Sequence, residues 1–135
     1  MSLPCPDELY RQIIEQSQDF TYALAVDGTI LYASSNCFDL FGYHTEEVIG
    51  QPFRHFLEAE DIEQNSASLH QMLTTGMLIA RHEQRLRHKD GTLRWFSISS
   101  SPVKDATGEI GYLLGRAHDI TPYKQLASEL RESAD

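Results

Sequence analysis

Three turn signals of one kind divide this chain. Asp27-Gly28, Lys89-Asp90-Gly91 and the Asp105–Glu109 stretch containing Gly108 each place Asp and Gly together between runs of strand-forming residues. Asp and Gly tolerate the positive φ that tight hairpins need, so each signal predicts two antiparallel strands joined by a short loop. The flanks of the first are Tyr22 to Val26 and Thr29 to Tyr32. Those of the others are Leu78 to His88, Thr92 to Val103 and Gly111 to Ile120, all rich in β-branched and aromatic residues. Five strands follow, hairpin-linked except for one interval.

That interval, Ser34 to Gly76, carries helix punctuation. Ser34 or Ser35 is placed to cap a short helix ending at Phe41, closed by Gly42. Thr45 caps a second, ended by Gly50, and Pro52 to Leu57 forms an apolar turn. Asp61 is expected to cap a longer helix, Ile62 to Thr75, stopped by Gly76, with Leu69, Met72 and Leu73 as its buried edge. Residues 6–18 predict a further helix with Leu9 and Ile13 on one face. Thr121-Pro122 begins the last helix, Thr as cap and Pro at the first helical position. Its Tyr123, Leu126 and Leu130 seam suits either a coiled coil or a docking face. The order predicts an α+β fold: an antiparallel sheet, helices gathered on one face, and a pocket between the layers.

Composition narrows the function. The 135 residues fit one domain, and 20 acidic against 11 basic residues give a net charge of −9. That charge opposes nucleic-acid binding, and the basic cluster from Arg81 to Arg94 is broken by Glu83 and Asp90. No apolar run reaches the roughly 20 residues needed to span a bilayer, and MSLPCPDELY lacks the basic-then-apolar pattern of a secretory signal. Cys5 and Cys37 have no metal spacing, and a reduced, cytoplasmic setting is expected. The six histidines show no HxH, HxxH or HExxH spacing, so no metal site is expected. Neither GxSxG nor GxxxxGK[ST] occurs, and an enzyme is not expected.

Three motifs, in this order and spacing, resemble the PAS family over about Asp19 to Thr121. They are DGTILYAS leading into NCFDLFGY and EEVIGQPF, then KDGTLRWF at Lys89 to Phe96, then HDIT at His118 to Thr121 followed by YKQLASELRES. The resemblance implies a five-stranded antiparallel sheet with short helices and one longer helix over one face. It divides the chain into a flanking helix (1–18), the PAS domain (19–121) and the start of a signalling helix (122–135). It implies a sensory or regulatory domain of a signal-transduction protein, as in bacterial two-component systems. Such a domain forms a homodimer through its N- and C-terminal helices and acts on a downstream effector such as a histidine kinase or diguanylate cyclase. Asp119, Ile120 and Thr121 would transmit the signal. Asp119 would pair with Arg87, Lys89 or Arg94, and Thr121 would cap the departing helix. A ligand-free interaction domain that only dimerises is the alternative.

The family's pockets take haem, flavin, small acids, metals or nothing, and no haem- or flavin-specific motif is found. Cys37 follows Asn36, but in the first short helix and not in the later one that faces a flavin in light-sensing relatives. The position of a haem ligand falls near Asn65, which is no histidine, and His70 on that helix is expected to face solvent. Strand alternation and position select Phe38, Phe56, Leu73, Phe96, Ile98, Ser100, Gly115 and Ala117 as the candidate ligand-binding set. Gly115 and Ala117 are expected to leave room, and Arg81, His82 and Gln84 to lie on a rim that orients a polar ligand.

Overall fold

The computed structural model describes residues 8, 9 and 18–134. Of the helix expected over 6–18, only Glu8 and Leu9 fall within the described residues, both helical. Strands β1 (Phe20–Ala25) and β2 (Ile30–Ala33) form the first hairpin. Short helices α1 (Cys37–Phe41) and α2 (Thr45–Val48), a 3-10 turn (Phe53–Phe56) and the long helix α3 (Ala59–Thr75) make the crossover. Strands β3 (Ile79–Arg87), β4 (Leu93–Lys104) and β5 (Ile110–Asp119) complete the sheet, and α4 (Thr121–Ala134) leaves it. Gly28, at φ 92°, makes the first hairpin turn possible.

The sheet order is β2-β1-β5-β4-β3, antiparallel throughout. β5 therefore lies at the centre, paired with β1 and β4, and β3 is an edge. The inner face alternates as the sequence predicts. Phe20 and Tyr22, Leu113, Gly115 and Ala117, and Phe96 and Ile98 are all buried. Rings join the layers: Phe20 meets Phe41 at 5.0 Å, Tyr22 stacks on Phe53 at 5.4 Å, and Phe41 meets Phe96 at 5.1 Å. Contacts of this kind add to the area that the rings bury.

Three caps differ from expectation: Ser34 and Asp61 take partners that tertiary structure brings to them, and at α2 the capping box falls one residue earlier. Ser34 does not cap α1. Its hydroxyl accepts the Thr21 N–H of β1 at 2.9 Å and donates to Asn36 Oδ1 at 2.6 Å, and Asn36 holds the cap position. Thr45 lies inside α2, behind His44, whose N–H donates to the Glu47 carboxylate at 2.7 Å. Asp61 sits within the first turn of α3, which begins after Glu58, and its carboxylate accepts two bonds from Arg85 at 3.1 Å.

Candidate functional site

A cavity of about 100 Å³ lies between α3 and the inner sheet face. Its sheet side is Tyr22 and Leu24 of β1, Ile79, His82 and Gln84 of β3, Ile98 and Ser100 of β4, and Leu113 of β5. Asn65, Ser66, Ser68, Leu69 and Met72 of α3 form the lid, and Phe53 and Arg54 close the end. The walls are apolar, with polar groups set at the floor and lid. Gln84 is buried, and its Oε1 lies 3.5 Å from the Asn65 amide nitrogen. Burial pushes the Tyr22 phenol up to about 12, and a hydrogen bond with Ser100 partly offsets this. The interior therefore offers neutral amides and hydroxyls at neutral pH, and Arg54 and Asp27 add charged groups to the lining.

The expected pocket residues divide. Ile98 and Ser100 line the cavity, as do His82 and Gln84 of the rim. Phe96 and Ala117 are fully buried in the core, beyond the cavity wall. Phe56 lines a second, apolar space of about 30 Å³ with Cys37, Tyr43 and Leu86. Leu73 borders an open groove beside Gly76 and Gly108. Phe38 is corrected outright: it is 51% exposed and stacks on His44 at 4.5 Å, because α1 turns Cys37 and Phe41 inward instead. Gly115 is corrected too. The room above it holds the Tyr22 ring, and an added Cβ would sit 2.2 Å from a ring carbon. Arg81 is exposed, at φ 55° in the irregular pairing between Ile79 and His82, and does not line the cavity. Tyr22, Ser66 and Ser68 line the cavity as well and lie outside the expected set. The Phe20-Tyr22-Leu24 alternation was the available signal for Tyr22, whereas nothing in α3 marked Ser66 or Ser68.

Cys37 is buried in the apolar space, away from the larger cavity, and burial pushes its thiol up to about 11. His70 is exposed. Among the described residues, no three His, Cys, Asp or Glu side chains are grouped to hold a metal ion, and no helix is long and apolar enough to cross a membrane.

The exit is built on Trp95 of β4. The Ile120 N–H donates to the Trp95 carbonyl at 2.8 Å, and the Trp95 N–H donates to Thr121 Oγ1 at 2.9 Å. The Thr121 N–H donates to Asp119 Oδ1 at 2.8 Å. The expected pairing of Asp119 with a basic group is present, and its other oxygen accepts the Thr121 N–H, whereas the Thr121 hydroxyl binds the strand instead of capping the helix. Asp119 Oδ2 lies 3.7 Å from Arg94, whereas Arg87 is engaged by Glu58 and Lys89 by Glu47. The first turn of α4 is fixed near the start of β4, at Trp95, one residue from the buried Phe96 and three from Ile98 on the cavity wall.

Comparison with known proteins agrees with this geometry. The family model described as PAS fold matches residues 8–120. Phototropin-1A of Oryza sativa subsp. japonica is 28% identical over 97 residues, covering 71% of this chain and 10% of that protein. The chain thus spans about a tenth of the length of the first curated relatives it matches. The PAS domain of a Colwellia psychrerythraea protein superposes with a TM-score of 0.78 at 23% identity, over 85% of this chain and 97% of that one. The Drosophila melanogaster Cycle PAS-B domain with bound ethylene glycol gives 0.68 at 20% identity, over 74% and 98%.

Proposed function

Because the chain belongs to the PAS family, we propose that it is a sensory domain that takes a small polar molecule into the cavity beneath α3 and passes its presence to α4. The observation that carries this reading is one wall with two duties. β4 supplies Ile98 and Ser100 to the cavity and, through Trp95, both backbone bonds that hold the start of α4. A ligand that shifts β4 acts on the exit helix without an intermediary, and its effect is limited to its differential affinity for the two positions.

Size selects the ligand class. A dry cavity of about 150 Å³ holds benzene, so about 100 Å³ suits a molecule of about four heavy atoms. A tricyclic flavin does not fit that space, and Cys37 lies outside it. Neutral floor groups at Tyr22, Gln84 and Ser100, with Asn65 above, favour a small diol or amide bearing both donors and acceptors. The similar Cycle domain holds ethylene glycol, a molecule of this size and chemistry. The domain acts within a longer signalling protein, pairs as a homodimer through its flanking helices and drives an effector such as a histidine kinase or diguanylate cyclase. Its setting is cytoplasmic, where free thiols stay reduced.

Titration of the purified protein with ethylene glycol and then glycerol, followed by amide chemical shifts, tests the reading. Saturable shifts at Gln84, Ile98 and Ser100 are expected. A flat response to both, with no mass adduct in the native mass spectrum, would favour the ligand-free interaction domain.

A further inference from the structure

Edge strand β3 sends three successive side chains to three places. Gln84 enters the cavity against Asn65 of α3. Arg85 reaches the first turn of α3, where it binds Asp61 through two bonds of 3.1 Å and also Glu60. Glu83 accepts Lys124 of α4 at 2.8 Å. Arg85 and Trp95 are cross-strand partners, so they share the outer face of the sheet, and the guanidinium carbon lies 5.8 Å from the ring centre. Lys124 sits 4.8 Å from the same ring. A closed circuit results, running from Asp61 through Arg85, Trp95 and Lys124 to Glu83.

We infer that Arg85 couples the lid helix α3 to the exit helix α4 across the sheet edge, by a side-chain route that meets the Asp119–Thr121 connection at Trp95. The inference rests on α4 being the output element, as proposed above. Two features set this circuit apart from scattered surface ion pairs. The Arg85–Asp61 contact is two-pronged, with side chains 25% and 20% exposed, so its geometry is fixed. The Trp95 N–H and C=O are both bonded at the root of α4, to Thr121 and Ile120, so a shift of its ring or strand is a shift at the helix root. When α3 moves over a filled or empty cavity, Asp61 carries Arg85 with it. The cation then moves relative to the Trp95 ring that Lys124 also contacts. Two cations at one ring repel each other, so removal of Arg85 alters the seat of Lys124.

The test perturbs α3 and reads α4. In the Glu60→Gln/Asp61→Asn double variant of the full chain, the amides of Lys124, Gln125 and Leu126 should exchange about two- to thirtyfold faster, the range that coupling through packed networks delivers. Emission from Trp95, the single tryptophan of the chain, should shift in parallel. Arg85→Met should give the same changes, and combining it with the double variant should add little. Arg85→Lys keeps the charge without the fork and should give a smaller acceleration, which preserves the test if Arg85→Met fails to fold. Faster exchange confined to α3, with α4 and Trp95 emission unchanged, would overturn the inference, as would full additivity. The perturbation is a substitution, so the result stands whether or not the cavity binds a small molecule.

Discussion

The Trp95 backbone N–H donates to the Thr121 hydroxyl at 2.9 Å, so the first side chain of the exit helix serves as a hydrogen-bond acceptor for a strand of the sheet. A helix cap would have tied Thr121 to its own helix. This bond ties the helix to β4, and with the Ile120–Trp95 bond it fixes the direction in which α4 departs.

Thr121→Val keeps the shape and removes the acceptor. The half-buried Trp95 N–H loses its partner, at a cost of about 1–3 kcal/mol. Denaturant unfolding should report that loss, and Thr121→Ser should recover most of it. Amide exchange at Lys124 should quicken in the valine variant only.

Gly115→Ala brings a methyl group onto the Tyr22 ring, with the nearest ring carbon at 2.2 Å. The ring is buried between Phe20 and Phe53 and has little space to yield. Overpacking of this kind costs about 1–3 kcal/mol. In a Tyr22→Ala background the same substitution should cost markedly less, because the two residues occupy one space. Equal costs in both backgrounds would separate them.

Two buried acids make the fold sensitive to alkali. Burial raises the Cys37 thiol from 9.0 to about 11 and the Tyr22 phenol from 10.0 to about 12. Both stay protonated in the folded protein at pH values where the unfolded chain has lost the proton. Their contribution is complete below about pH 9 and is lost progressively as the pH rises through the folded values. On the order of 2–3 kcal/mol per group is at stake. Unfolding curves from pH 8 to 12 should show the decline, and Cys37→Ala and Tyr22→Phe should each remove part of the slope. A slope unchanged in both variants would contradict the assignment.

Ser68 of α3 faces the cavity from the lid. Ser68→Leu should fill part of the space, leave the cooperative unfolding transition in place and abolish the response to ethylene glycol. Retained saturable shifts would place the binding elsewhere.

What the sequence reveals of this fold lies in its punctuation. Asp27-Gly28 and Asp90-Gly91 marked the hairpins because turn geometry is a local demand, met by residues adjacent in the chain. The alternation of Phe96, Ile98 and Ser100 gave the inner face of β4 for the same reason. Polar side chains were harder to read. Ser34, Asp61 and Thr121 each suited a cap, yet each binds a partner 13 to 26 residues away, which only the folded sheet supplies. Phe38 was misplaced because a five-residue helix has no periodicity to say which ring turns inward. Gly115 signalled space, and Tyr22 fills that space from the neighbouring strand. Nothing in the sequence marks Trp95, because its backbone and ring contacts are all with residues brought to it by the fold.

Whether the cavity speaks to the exit helix is decided by following amide shifts at both during one titration with ethylene glycol. The account predicts that Gln84 and Ser100 in the cavity wall and Lys124 and Leu126 in α4 shift along a common saturation curve. Saturation at Gln84 and Ser100 with Lys124 and Leu126 unmoved would contradict it.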